Sequence, residues 1–167
     1  MYDYIIIGSS ISNLLHATLL KGKVLIIEKD NYNGGAWRID CEKYKNIDLV
    51  GHLIVPTNDI MSNKICKFFK QFDIHFNKIN NDDFIFETSK FHSNNKNGHP
   101  IICKNGWTDY TQKVLAYVNS YKNIKIINNC EVQQIICNTN YINIITKNVN
   151  FIAEKIIIPM YCNINNI

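Results

Sequence analysis

The chain has 167 residues, enough for one domain with a core of its own, and its net charge of +4 is spread along the sequence without a lysine cluster. This even distribution disfavours a nucleic-acid partner, and no apolar run reaches the roughly 18 residues that a membrane span needs. The first predicted strand starts almost at Met1, which leaves no room for a signal peptide, and six cysteines without a CxxC pair indicate a reducing cytoplasm.

The N-terminal segment predicts a strand, a helix and a second strand. Residues 4–7 are a short apolar, β-branched run that stops at Gly8, and helical spacing follows. One side of the predicted helix is formed by Leu14, Leu15, Thr18 and Leu19. A second apolar run, residues 23–27, ends at Glu28. This order is that of a dinucleotide-binding βαβ unit.

The chemistry of such a unit follows from its geometry. A glycine at the end of the first strand lets the chain turn tightly into the helix, whose free N–H groups and dipole favour a pyrophosphate. An acid at the tip of the second strand accepts hydrogen bonds from ribose hydroxyls, and Glu28 lies about 20 residues beyond Gly8, as this geometry requires. Because the carboxylate repels a 2′-phosphate, we expect a dinucleotide with free ribose hydroxyls.

The glycine fingerprint of this unit is altered. In the GxGxxG register the residues are Gly8, Ser10 and Asn13, so only the first glycine is present. We expect Ser10 to place a side chain where the backbone approaches the phosphates, although its hydroxyl can donate to a phosphate oxygen. We expect Asn13 to place one where the helix packs closely on the strand.

The segment after the predicted ribose acid reads EKDNYNGGAWRI, with a glycine pair followed by Arg38. Here the sequence resembles the flavoproteins with two dinucleotide-binding motifs, the superfamily of amine oxidases, protoporphyrinogen oxidase, phytoene desaturases and UDP-galactopyranose mutase. The stretches MYDYIIIG, KVLIIEK, NGGAW and GHLIVPTND look most like the mutase branch. The resemblance implies an α/β fold: a Rossmann-like FAD/NAD(P)-binding domain with a parallel sheet, helices and an antiparallel three-stranded β-meander. It also implies FAD as cofactor.

The resemblance further implies which residues contact FAD. Gly8 and Ser10 would lie at the pyrophosphate, Glu28 at the ribose, and the Gly51-His52 pair near the flavin edge. The complete predicted set is Gly8, Ser10, Ile11, Ser12, Glu28, Lys29, Gly34, Gly35, Ala36, Trp37, Arg38, Gly51, His52 and Val132. No catalytic residue is identified, and the scattered histidines predict no metal site.

The remaining elements are predicted from apolar spacing and turn residues. The middle of the chain contains a strand over 46–55 interrupted at Gly51, a helix capped by Thr57 or Asn58, strands over 74–79 and 84–87, and a surface loop over 89–99. A helix capped by Thr108 and a third parallel strand over 123–127 follow. We expect the aromatic face of the first of these helices to be core.

The C-terminal part alternates apolar and polar residues between Asn-rich turns. This pattern predicts an antiparallel meander of three strands, residues 131–137, 141–146 and 150–153, followed by a buried parallel strand over 156–159. The order of elements matches the FAD-binding half of the resembled family. We therefore predict one FAD/NAD(P)-binding domain over 1–167, incomplete relative to the family, with 74–105 as a remnant of its substrate domain.

Four functional hypotheses remain open from the sequence. The first is an FAD-dependent oxidoreductase of the amine-oxidase type, or its N-terminal piece, with a second chain supplying the missing C-terminal half. The second is a flavin-dependent isomerase similar to UDP-galactopyranose mutase. The third is a non-catalytic binding module, because Rab GDP-dissociation inhibitors resemble the same fold and carry a similar glycine-pair loop. The fourth is a degenerate product without activity.

Overall fold

A computed structural model describes residues 1–35, 54, 56–78 and 101–158, which fold into eight strands and three helices. The strands are β1 (Tyr2–Ile7), β2 (Val24–Ile27), β3 (Phe76–Lys78), β4 (Ile101–Cys103), β5 (Ile124–Ile127), β6 (Val132–Cys137), β7 (Ile142–Thr146) and β8 (Asn150–Ile157). The helices are α1 (Ile11–Ala17), α2 (Asp59–Lys70) and α3 (Gly106–Asn119). The chain divides into two compact units, one formed by Met1–Arg38 and Val114–Ile167 and the other by Ile39–Lys113.

The first unit is built on a six-stranded sheet in the order β5-β2-β1-β8-β7-β6. The pairs β5·β2, β2·β1 and β1·β8 are parallel, whereas β8·β7 and β7·β6 are antiparallel. The predicted βαβ unit, the third parallel strand and the three-stranded meander are therefore confirmed. The carboxyl ends of β1, β2 and β5 meet at one edge of the sheet, where ligands bind in open α/β folds.

One strand differs from the prediction. Residues 150–159 were expected to form a short meander strand and then a separate parallel strand, but β8 is continuous from Asn150 to Ile157. Ala153 pairs with Ile142 of β7 on one side and with Tyr2 of β1 on the other. No glycine, proline or asparagine interrupts residues 151–157, so nothing ends the extended backbone. The meander thus continues directly from the parallel sheet.

The sheet is bent back on itself. β5 and β6 are its two edge strands, yet only residues 128–131 join them. Such a link spans at most about 18 Å, whereas the outer strands of a flat six-stranded sheet are about 24 Å apart. The bend brings the meander over one face of the parallel strands. Both then contribute to one buried cluster, which contains Ile5, Ile7, Leu25, Ile27, Cys130, Ile144 and Ala153.

Helix α1 is shorter than its predicted apolar side. It ends at Ala17 with Thr18 as its C-cap, and Leu19 lies beyond the helix and is 77% exposed. The buried residues of the helix are Ile11, Asn13, Leu14 and Ala17. The prediction that Leu19 shares the apolar face is therefore wrong, because the helix stops before that turn forms.

The second unit contains α2, β3, β4 and an aromatic cluster. Asn58 is the N-cap of α2, and its Oδ1 accepts a 2.8 Å hydrogen bond from the Met61 N–H, which decides between the two predicted caps. β3 and β4 form an antiparallel pair. The cluster consists of Phe68, Phe69, Phe72, Phe76, Trp107 and Tyr110, with ring centroids 5.0–6.4 Å apart in successive pairs. The expectation that the aromatic face of α2 is core is confirmed for Phe69, whereas Phe68 is 46% exposed and Ile60 is 70% exposed.

Helix α3 begins earlier than predicted. Its first residue is Gly106, so Thr108 lies inside the first turn and is not the N-cap. Gly106 has a φ of +83°, which lets the chain turn directly into the helix. Trp107 and Tyr110 are buried in the same first turn, and their packing fixes it without a polar cap at Thr108.

Several predictions lie outside the described residues: most of the strand over 46–55, the strand over 84–87 and the loop over 89–99. Ile54 alone is described from the first of these, and it forms an antiparallel bridge with Ile101. Within the described ranges, no helix has the length and apolar character needed to cross a membrane.

Candidate functional site

The candidate site begins where the chain leaves β1. Gly8 has a φ of +84°, a conformation that side-chain-bearing residues rarely adopt, and its N–H donates to the Ile27 carbonyl of β2 at 2.8 Å. Ser9 follows and is completely buried. The turn therefore lies directly beside the end of β2, as the βαβ prediction required.

Glu28 is buried at the tip of β2, with only 6% of its surface exposed. Its Oε2 accepts hydrogen bonds from the Ser9 N–H at 2.8 Å and from the Ser9 hydroxyl at 2.7 Å. Its Oε1 accepts a third from the Asp30 N–H at 3.0 Å. Its backbone is fixed by bonds to Ile127 and Cys130 at 2.8 and 2.9 Å. A carboxylate held this firmly is preorganised.

Ser10 occupies the second glycine position of the fingerprint and is the N-cap of α1. Its φ is −58°, which any residue adopts, and its Oγ accepts the Asn13 N–H at 3.4 Å. The Oγ also lies 3.0 Å from the Ser12 Oγ. The side chain that was expected to stand in the way of a phosphate is thus engaged in capping the helix.

Asn13 occupies the third glycine position and is 8% exposed. Its Nδ2 donates to the Ile7 carbonyl at 3.1 Å and to the Gly8 carbonyl at 3.0 Å. The amide joins α1 to the end of β1 through carbonyls that a glycine would leave without this partner. Asn13 therefore places a side chain between the helix and the strand, as expected, and its amide N–H groups find partners there.

The glycine-pair loop lies against the same turn. The Gly34 N–H donates to the Ser9 carbonyl at 2.8 Å, and Ser10 and Gly34 form a parallel bridge. Gly34 and Gly35 have φ values of +108° and +59°. A Cβ on Gly35 would lie 3.5 Å from the Ser10 Cα, so the loop packs closely on the start of α1.

Ser9 connects the three parts of the site. Its N–H and hydroxyl bond Glu28, and its carbonyl accepts from Gly34. It was not among the predicted residues, because it is a variable position of the fingerprint. The only sign of this role in the sequence is the serine pair, Ser9 and Ser10, that directly follows Gly8.

Two further asparagines that the sequence did not indicate lie near this loop. The side-chain oxygens of Asn33 and Asn128 are buried and have no hydrogen-bond partner. The Asn128 Nδ2 donates to the Asn31 carbonyl at 3.3 Å, and the Asn129 N–H donates to the Asp30 carbonyl at 2.9 Å. The Asn128 and Asn129 amides thus join the end of β5 to the loop after β2.

A cleft of about 330 Å³ opens beside the site. It is lined by Lys29, Asn129, Cys130, Glu131, Gln133, Thr146, Lys147 and Asn148. Its polar walls include the exposed Lys29, which follows Glu28 in the chain. The predicted contact Val132 lies between two lining residues, but its side chain packs against the buried cluster of the bent sheet.

The other predicted residues are placed as follows. The side chain of Ile11 is buried under the first turn of α1, and Ser12 is exposed beside Ser10. Ala36, Trp37, Arg38, Gly51 and His52 lie outside the described residues. Among the residues that are described, no three His, Cys, Asp or Glu side chains come together as a metal site.

No family model matches the sequence. Several solved structures resemble the fold. BexE, studied for oxidation during BE-7585A biosynthesis, has a TM-score of 0.64 and 11% identity, covering 95% of this chain and 31% of that one. The thioredoxin reductase of Streptococcus pyogenes has a TM-score of 0.50 and 19% identity, covering 95% and 34%. The L-amino acid deaminase of Proteus vulgaris has a TM-score of 0.50 and 10% identity, covering 95% of this chain and 52% of that one.

These similarities concern the fold, because all the identities are below 20%. The chain spans about a third of the length of BexE and of the thioredoxin reductase, and about half of the deaminase. In each case nearly all of this chain is covered, including its mainly parallel sheet. The predicted fold class is confirmed: the chain has a Rossmann-like α/β fold with a mainly parallel central sheet and an antiparallel three-stranded meander.

Proposed function

We propose that this chain binds a flavin dinucleotide, FAD, and serves an FAD-dependent oxidoreductase. One observation carries the proposal: a buried carboxylate, Glu28, lies at the tip of β2 and is joined through Ser9 to both the Gly8 turn and the glycine-pair loop. A buried acid beside a glycine turn is the arrangement that recognises adenosine ribose in dinucleotide-binding folds.

Each part of the site has a proposed role. The turn formed by Gly8, Ser10, Ile11 and Ser12 would receive the pyrophosphate, Glu28 a ribose hydroxyl, and Gly34 and Gly35 the length of the dinucleotide. Lys29 and the cleft beside Val132 would lie toward the adenosine end. When bound, FAD supplies an electron-pair acceptor, a chemistry that side chains do not provide.

The described residues fit such a ligand. Three of the roughly four acceptor positions of the Glu28 carboxylate are occupied, so one remains for a hydroxyl. The words oxidation and reductase in the names of two structural neighbours agree with redox chemistry. A substrate-binding region would come from residues beyond those described, in this chain or in a second one.

The absorption spectrum of the purified protein, recorded with and without added FAD, tests the proposal. We expect bands of bound flavin and release of the pigment on denaturation. Glu28→Gln should weaken FAD binding about tenfold, because a charge-assisted bond to the ribose is replaced by a neutral one. Glu154→Gln, an exposed glutamate on β8, is the matched control. A colourless protein that takes up no FAD would contradict the proposal.

A second function is favoured by the internal bonding of the site. The side chains of Glu28 and Asn13 are both held by hydrogen bonds within the protein, so the arrangement around them forms without a ligand. A binding module without cofactor, similar to the Rab GDP-dissociation inhibitors, would need such an arrangement. Thermal unfolding separates the two functions. Saturating FAD should raise the melting temperature if it binds the folded chain and should leave it unchanged in a cofactor-free module. In the mutase hypothesis Gly51 and His52 approach the flavin edge, and both lie outside the described residues.

A further inference from the structure

The two oxygens of the Glu28 carboxylate accept different numbers of hydrogen bonds from the protein. Its Oε2 accepts both the N–H and the hydroxyl of Ser9, at 2.8 and 2.7 Å, and each carboxylate oxygen has about two acceptor positions. Among the residues that the structure describes, its Oε1 accepts one hydrogen bond, from the Asp30 N–H at 3.0 Å. Oε2 is therefore filled, and one acceptor position is left, on Oε1.

The Ser9 hydroxyl is fixed in this position. Ser9 is fully buried, and Glu28 is 6% exposed. The 2.7 Å separation is that of a hydroxyl donating to a charged oxygen, a bond stronger than one between neutral groups. A ligand hydroxyl would have to displace this bond to reach Oε2.

A ribose offers two neighbouring hydroxyls, whereas this carboxylate has room for one. We propose that Ser9 is a specificity-determining residue that restricts Glu28 to a single ribose hydroxyl of the bound nucleotide, an inference that rests on the proposed dinucleotide function. The chain would then distinguish the two ribose hydroxyls, and an adenosine nucleotide lacking the one that Glu28 does not hold would bind almost as well as the complete one.

Competition binding with three probes tests this inference: ADP, 2′-deoxy-ADP and 3′-deoxy-ADP, each displacing a fluorescent adenosine nucleotide. For the wild-type protein we expect one deoxy analogue to bind within about twofold of ADP and the other to bind about tenfold more weakly. In Ser9→Ala the second acceptor position is free, so both deoxy analogues should bind about tenfold more weakly than ADP.

Ser120→Ala is the matched control, because it removes an exposed serine hydroxyl that donates to the Tyr117 carbonyl away from the site. It should keep the wild-type pattern. Equal losses for both analogues in the wild-type protein, or the same asymmetry in Ser9→Ala, would overturn the single-hydroxyl inference while leaving nucleotide binding intact. Failure of all three probes to bind the wild-type protein would instead overturn the proposed function, and the inference with it.

Discussion

The two turns that flank α1 differ in whether they require glycine. Before the helix, Ser10 and Asn13 stand at positions where the dinucleotide fingerprint has glycine, and both side chains form hydrogen bonds. After the helix, Gly22 has a φ of +107°, and a Cβ there would lie 2.5 Å from the Asp3 Oδ2. Glycine is replaced here where φ is negative and a polar side chain finds partners, whereas a side chain at Gly22 requires both a strained backbone and a shift of the Asp3 side chain.

A third turn combines a positive φ with a residue that has a side chain. Asp73, beyond the end of α2, has a φ of +58° although it is not glycine. The Lys113 Nζ donates to its carbonyl at 2.7 Å and to its Oδ2 at 2.9 Å, and the His75 Nε2 lies 3.1 Å from its Oδ1. Side-chain interactions here offset the strain of a left-handed backbone.

The largest effect is expected at Gly22. Gly22→Ala should lower the free energy of unfolding by about 2 to 4 kcal/mol, because it combines backbone strain with a collision against Asp3. Gly106→Ala is the matched control, since Gly106 also has a positive φ but no atom lies within 4 Å of its added Cβ. Urea unfolding measures both variants. Equal losses would mean that strain alone, without the collision, sets the cost.

The second-largest loss of stability is expected at Asn13. Asn13→Gly restores the fingerprint, yet we expect it to destabilise the protein by about 1 to 3 kcal/mol, because the Ile7 and Gly8 carbonyls lose their donor and a helix gains a glycine. Asn63→Gly, at an exposed position of α2, measures the cost of placing a glycine within a helix by itself. A variant at Asn13 that is no less stable than this control would show that the amide bridge contributes nothing.

A smaller loss of stability is expected at Ser10. Ser10→Ala removes the N-cap of α1 and should cost about 0.5 kcal/mol, at the low end for caps because the bond to the Asn13 N–H is 3.4 Å long. Ser10→Gly should cost only a few tenths of a kcal/mol. Chemical unfolding of the two variants side by side compares serine with the glycine of the fingerprint. A loss above about 2 kcal/mol for either would contradict the capping role.

The smallest effect is a pH dependence at Asp73. Its hydrogen bond and ion pair with Lys113, and then its bond to His75, lower the pKa of the carboxyl below 3.8. The stabilisation is complete above pH 3.8 and is lost as the pH falls through the lowered pKa of the folded state. Unfolding measured between about pH 2 and 5 should show this loss in the wild-type protein and not in Asp73→Asn. Identical profiles would exclude the ion pair as its source.

Local patterns in the sequence were sufficient for most of the fold. The apolar runs of β1, β2 and β5, the Asn58 cap of α2 and the alternation of the meander each involve residues a few positions apart, where periodicity is informative. The predicted Thr108 cap and the break in β8 were wrong, because packing of Trp107 and double pairing of Ala153 decided those boundaries.

The candidate site was predicted in part. Gly8, Glu28 and the glycine pair follow from motif spacing, but their bonding does not. Sequence alone placed the Asn13 side chain between helix and strand but did not indicate its hydrogen bonds, because a motif compares residue types and not the carbonyls that a side chain reaches. Ser9, Asn33 and Asn128 carried no motif signal, and the predicted roles of the cofactor-binding residues stay predictions.

By itself, the sequence determined the order of strands and helices and the place of the glycine turn, since these depend on hydrophobic period and backbone conformation within a few residues. Only the tertiary structure decided what Glu28 bonds, how Asn13 is satisfied and how the sheet bends. Those features join residues from 5 to about 100 positions apart. Their energies depend on burial and on hydrogen-bond partners that only the folded chain brings together.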